Sequence, residues 1–145
     1  MPTTTVYRYD SEYLTEGQQV HPRGDPFDTL TDDQKQVERE IRATLPNGEI
    51  VRSTSLYAWE DEAVARRLWP HSKRKYLYEL EIEQSNIRLK ADLNFYSEAV
   101  DAIKEGRSPI PAVEKYCSGE SADPSSGLRR IEILVTEAKV IRRFA

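Results

Sequence analysis

Tyr76-Leu77-Tyr78-Glu79-Leu80-Glu81-Ile82 alternates strictly, with Tyr76, Tyr78, Leu80 and Ile82 on one face and Leu77, Glu79 and Glu81 on the other. That period of two is the mark of a β-strand covered on one side. Strand-like segments lie on both sides of it. Upstream, Thr3-Thr4-Thr5-Val6-Tyr7-Arg8-Tyr9 is rich in β-branched and aromatic residues and reads as an opening strand. Downstream, Ile87-Arg88-Leu89-Lys90-Ala91-Asp92 reads as a short strand. Ile131-Glu132-Ile133-Leu134-Val135 and Ala138-Lys139-Val140-Ile141 then end the chain on the sheet. Glu49 to Ser55 also has strand composition, and Gly17 to Val20 is short enough for a minor strand within a loop punctuated by Gly17, Pro22, Gly24 and Pro26.

Helices are predicted between these strands. Thr31-Asp32-Asp33 supplies capping chemistry before Gln34 to Leu45, where Val37, Ile41 and Leu45 recur every four residues on one face, and Pro46-Asn47-Gly48 closes the segment. Glu60 to Leu68 follows Tyr57-Ala58-Trp59, turns Ala63, Val64 and Leu68 inward, and stops at Pro70. Asn94 to Lys104 and Ala112 to Tyr116 complete the set. After them comes a loop of small and turn-forming residues, Ser118 to Gly127. No internal repeat or heptad is present, so the expectation is one α+β domain over residues 1–145.

The chain has 145 residues, enough to bury a core without covalent staples. Its single cysteine, Cys117, rules out an intrachain disulfide and any zinc site built from several cysteines. Cys117 beside Tyr116 reads as a small buried apolar group. His21 and His71 read as surface residues outside any nucleophile motif. Met1-Pro2-Thr3-Thr4-Thr5 has neither region of a signal peptide, and no apolar run is long enough to span a bilayer; a cytoplasmic protein without a membrane partner is expected. A formal net charge of −4 argues against general attraction to nucleic acid, although Arg66, Arg67, Lys73, Arg74 and Lys75 form a local basic stretch that offers a docking face for RNA or DNA.

The usual phosphate loop and dinucleotide glycine fingerprint are both missing. Three short segments point elsewhere. Val6-Tyr7-Arg8 places an arginine at the end of the first strand. Arg52-Ser53-Thr54-Ser55 places hydroxyls in mid-chain, and Arg130-Ile131-Glu132 places a carboxylate at the start of a late strand. In that order they resemble the Arg, Ser-Thr-Ser, Glu pattern of the ADP-ribosyltransferase superfamily. Over its full length the chain also resembles a group of small bacterial domains classed with those enzymes, through Leu14-x-x-Gly17, the acidic helix near Glu38, Arg52-Ser53-Thr54-Ser55-Leu56-Tyr57 and Lys115-Tyr116-Cys117-Ser118-Gly119.

The resemblance implies two small, packed, mostly antiparallel sheets with peripheral helices and a central NAD cleft. It implies NAD as donor substrate, no metal, release of nicotinamide, and transfer of ADP-ribose to a macromolecular acceptor, protein or nucleic acid, in a toxin-like enzyme with an antitoxin or other protein partner. Plain NAD hydrolysis and a non-catalytic binding module are the alternatives. Glu132 would stabilise the oxocarbenium-like ribose as carboxylates do in glycosidases. Arg8 would hold the pyrophosphate or a ribose through forked hydrogen bonds. Ser53, with Thr54 and Ser55, would contact the nicotinamide ribose or orient Glu132, and Tyr57 would stack on the nicotinamide ring. Relatives that modify arginine carry an acidic residue two positions before the catalytic glutamate. Arg130 stands there instead, which implies a different acceptor and a phosphate contact for Arg130 itself. Each residue also has an ordinary reading: Arg8 as a strand-end ion pair, the hydroxyls as a wet strand face, Tyr57, Trp59 and Trp69 as packing aromatics.

Overall fold

In the computed structural model, which describes residues 2–121 and 129–145, the alternating segment is β4 (Tyr76–Glu83), and β1 (Thr3–Asp10) pairs antiparallel along its whole length, from Thr3 opposite Glu83 to Asp10 opposite Tyr76. β2 (Gln19–Val20), β3 (Leu56–Trp59), β5 (Ile87–Asp92), β6 (Ile131–Val135) and β7 (Ala138–Arg143) complete one antiparallel sheet in the order β2-β7-β4-β1-β3-β6-β5. Among the described residues five α-helices accompany it: α1 (Asp32–Thr44), α2 (Gly48–Ser53), α3 (Glu62–Leu68), α4 (Leu93–Lys104) and α5 (Ile110–Cys117). The fold is α+β. Of the loop expected at 118–127, residues 122–127 lie outside the described residues.

The two expected sheets are a single continuous one, which is a correction. Its middle is nevertheless thin, because β1 and β3 share one registered pair, Tyr7 opposite Trp59. One face of the sheet carries Val6, Leu56, Leu80, Ile82, Ile133, Val135 and Val140 in a buried cluster that draws on every strand and on no helix. Leu14, from the loop after β1, is the one buried member of this cluster outside the strands. The other face carries the helices. α1, α4 and α5 enclose Val37, Ile41, Phe95, Ala99, Val113 and Tyr116 against Ala91 of β5, and α3 packs Val64 and Ala65 with Trp59 and Leu77.

α1 starts where its cap chemistry places it. The Thr31 side chain accepts from the Gln34 N–H and the Gln34 side chain accepts from the Thr31 N–H, a reciprocal capping box. The strand expected over Glu49–Ser55 is instead α2, and the strand itself is β3, one step later. Asn47 takes a left-handed conformation, φ 53°, and turns the chain. Gly48 then passes so close to Arg42 that a Cβ would sit 2.2 Å from its carbonyl oxygen. The β-branched pair that suggested a strand is not the inward side of this segment. Ile50 is 57% exposed, and Arg52 is the residue that is buried. Tertiary demand for Arg52 overrides local β-propensity.

Candidate active site

Where β1 and β3 part, a cleft of about 540 Å³ opens. Along β1, Val6, Arg8 and Asp10 share a face, so the apolar inner face ends in charge as it reaches the cleft. Glu132 registers with Trp59, which registers with Tyr7; it therefore belongs to the opposite face and reaches the same cleft through the split.

One end of the cleft is cationic. Arg8 donates from Nη1 to the Tyr57 carbonyl at 2.5 Å, while its Nε, 3.5 Å from Asp10, is buried without a hydrogen-bond partner. Burial pushes the Arg8 guanidinium below its ordinary pKa, against the pull of Asp10. Arg23 binds Asp10 and pairs with Glu12 at 2.9 Å. Burial raises the Asp10 carboxyl, but Arg23, the Glu12 N–H and Arg8 more than offset it and hold the group below its usual range. Arg74 completes this lining.

The other end is a buried relay. Arg52 of α2 forms a two-pronged ion pair with Glu38 of α1, Nε to Oε2 and Nη2 to Oε1, both at 2.7 Å. From Nη1 it also donates to the Tyr116 hydroxyl, which in turn donates to Oε1 of Glu132. Glu132 lies 3.7 Å from Nη1 of Arg52. Two carboxylates thus share one internal guanidinium, and the nearer claims it. Burial raises the Glu38 carboxyl, but hydrogen bonds and charge from Arg52 and Arg42 bring it below its ordinary value. For Glu132 burial wins over Arg52 and Tyr116, and its pKa stays raised. Glu132 therefore has the weaker claim on Arg52, and burial disfavours its ionised form.

The expected site residues divide between the cleft and its surroundings. Arg8, Ser55, Tyr57 and Glu132 line the cleft together. Ser53 does not: it ends α2 and donates to the Glu49 carbonyl at 2.6 Å, which corrects its expected place on a strand. Thr54 is exposed, donates to the Ile50 carbonyl and accepts from Arg88 at 2.8 Å. Ser55 is the buried hydroxyl of the three and accepts from Arg88 at 3.1 Å. Tyr57 lines the cleft and donates from its hydroxyl to the Arg52 carbonyl at 2.7 Å. Arg130 lies outside the cleft lining, where it binds Asn94 and Ser97 of α4, each at 2.7 Å. A measurable consequence follows for the hydroxyls. Ser53→Ala is expected to change stability by less than about 0.5 kcal/mol and leave ligand binding at the cleft unchanged. Ser55→Ala removes the acceptor facing Arg88 and is expected to weaken that binding. Isothermal titration with NAD on both variants checks the contrast, and equal effects would contradict it.

Sequence reading passed over Glu38, Arg52 and Tyr116, although each stands inside a quoted motif. The available signal was spacing: Glu38 follows Val37 on the inward side of α1, where an ordinary surface acid would not sit. Cys117 is half-buried, and burial raises its thiol to about 11, away from any nucleophilic role. A second cavity beside Phe27 is lined by Asp25, Arg42 and Glu49, which already pair with one another. Among the described residues, no group of three or more His, Cys, Asp or Glu side chains is placed to hold a metal, and no helix is long and apolar enough to cross a membrane. Comparison with protein-family models and with curated proteins finds no match for this chain.

Proposed function

We propose that the cleft binds NAD and that the protein is an ADP-ribosyltransferase, releasing nicotinamide and passing ADP-ribose to a macromolecular acceptor. The observation that carries this reading is the polarity of the cleft: arginines at Arg8, Arg23 and Arg74, and the buried carboxyl group of Glu132. NAD has the matching polarity, with an anionic pyrophosphate and a cationic nicotinamide ribose. The cleft volume also falls within the range of small-molecule sites.

In the reaction the bond between ribose C1 and the nicotinamide nitrogen breaks, and its electron pair neutralises the departing ring. The cationic ribose is stabilised by the Glu132 carboxylate across a dry wall, where charge acts strongly. The acceptor's lone pair forms the new bond to C1 and its proton passes to Glu132. Arg8, partly desolvated and fixed to the Tyr57 carbonyl, holds a phosphate or ribose oxygen with little reorganisation. The thinness of the sheet between β1 and β3 fits an ADP-ribosyltransferase-like division into half-sheets around the nucleotide.

A second reading, a nucleotide-binding module of the same fold without turnover, is favoured by the bond from Tyr116 to Glu132, which would hold that carboxylate for structural reasons alone. Nicotinamide release from NAD, with cell lysate as acceptor source, separates the two. Release that lysate accelerates and Arg8→Ala suppresses supports transfer. Saturable NAD binding without release supports the module.

A further inference from the structure

We infer that Tyr13, Tyr76, Lys75 and Arg143, continuous with the cleft mouth at Arg74, form a platform that binds single-stranded nucleic acid.

Tyr13 is 62% exposed, the largest exposure among the large apolar side chains that stand in water. An exposed aromatic on a loop would ordinarily be mobile. Here the backbone on both sides of it is tied to one buried group: the Tyr78 hydroxyl accepts from the Leu14 N–H at 2.7 Å and donates to the Glu12 carbonyl at 2.8 Å. Tyr78 is fully buried, so the loop is anchored to the core and Tyr13 is held outward. Its ring meets Tyr76 edge to face, with centroids 5.6 Å apart and planes at 79°. The two rings thus offer surfaces in two orientations, fixed before any ligand arrives.

Cations surround these rings. Arg143 stands 5.2 Å from the Tyr13 ring and 5.5 Å from that of Tyr76, and Lys75 stands 5.4 Å from Tyr76. Lys73, Arg74, Lys75 and Arg143 are all exposed, and none forms an ion pair with another described residue. The neighbouring acids are already engaged, Asp10 by Arg8 and Arg23 and Glu12 by Arg23. Arg66 and Arg142, by contrast, are paired, with Glu62 and Glu79. The platform is therefore locally cationic on a chain of net charge −4. It also adjoins the cleft directly, because Tyr76 pairs with Asp10, and Asp10, Glu12 and Arg74 line the cleft.

Preordered aromatic faces interleaved with unpaired cations match one ligand chemistry best. A single strand presents a phosphate and a free base face in every unit, so it meets both features at once. A duplex stacks its base faces away. An acidic peptide would use the charge and leave the fixed rings without a role. As a bound strand the ligand stands apart from the reading of the cleft; as the acceptor of ADP-ribose it rests on that reading.

Fluorescence anisotropy with labelled DNA and RNA oligonucleotides of about 12 nucleotides, single-stranded and duplex, tests the inference. The wild type is expected to bind single strands in preference to duplex, and more weakly as salt rises. Tyr13→Ala is expected to lose roughly tenfold in affinity and Tyr13→Trp to retain it. Lys75→Glu and Arg143→Glu are expected to weaken binding and flatten the salt dependence. Thermal melting confirms that these surface variants are folded. Glu132→Gln should bind as the wild type does, so a failure of NAD chemistry leaves this result standing. No binding at low salt, equal binding of duplex, or an unaffected Tyr13→Ala would overturn the platform.

Discussion

Nicotinamide release from NAD is expected to fall on the order of a thousandfold in Glu132→Gln, while the variant folds and at neutral pH resists urea at least as well as the wild type. The loss follows from charge. Glutamine preserves the volume and can still accept from Tyr116, but it offers no negative charge to a cationic ribose. The stability gain follows from the sign of the pKa shift. The folded-state pKa of Glu132 is raised above its ordinary 4.5, so between the unfolded and folded values the native state binds more protons. Stability contributed by this group therefore falls as pH rises through that window, and the cost is present wherever Glu132 is ionised. Glutamine removes the cost. For the same reason the acid limb of NAD cleavage is expected above pH 4.5, since the ionised form is the working one. Urea midpoints and rates measured on the same two proteins decide the matter. Undiminished release would remove Glu132 from the chemistry, and a large loss of stability would make it a structural carboxylate instead.

That combination, activity lost and stability kept or gained, would separate a functional carboxylate from an ordinary buried one. It could not have been read from Ile131-Glu132-Ile133 alone. Alternation placed Glu132 on a strand, and in the structure it stands on β6 opposite Trp59. What alternation lacks is the identity of the groups that meet it from other elements. Arg52, Tyr116 and Glu38 come from three helices, separated by 14 to 64 positions along their mutual bonds.

Local rules served well where the cause was local. The period of β4 and the cap chemistry before α1 each depend on residues within a few positions, and both are present, with Thr31 as the cap. The segment Glu49–Ser55 failed because its composition answered the wrong question. Ile50 and Val51 favour a strand in isolation, but the turn at Asn47, the tight passage of Gly48 and the insertion of Arg52 beneath α1 settle it as a helix. Moving the strand by one segment also changed which hydroxyl faces the cleft, from Ser53 to Ser55. Arg8 was expected near the end of its strand and stands on β1, whereas Tyr57, expected to lead into a helix, stands on β3; both line the cleft beside the split. The split itself was not legible, since a single Tyr7–Trp59 pair is a property of curvature and not of composition.

Arg52→Met is expected to destabilise the fold by about 3–5 kcal/mol, the usual consequence of removing one partner from a buried ionic network. The reason lies less in the bonds lost than in what stays behind. Glu38 would keep its charge at 4% exposure, with Arg42 at 3.2 Å as its remaining cation, and Glu132 would lose the guanidinium that moderates its burial. Glu38→Gln is expected to act in the same direction but less strongly, because Arg52 would retain Tyr116 and Glu132. Its pH dependence has the opposite sign to that of Glu132. The Glu38 pKa is held below its ordinary value, so its contribution is present above the unfolded pKa and disappears as pH falls through the folded one. Urea unfolding of Glu38→Gln and wild type should therefore converge in acid and diverge toward neutrality with the variant less stable, whereas Glu132→Gln, also converging in acid, should diverge with the variant more stable. A double-mutant cycle on Glu38 and Arg52 closes the argument. Their two-pronged pair requires the double variant to lose less than the sum of the singles, by roughly 1–3 kcal/mol. Strict additivity would mean that α1 and α2 are held together by packing alone.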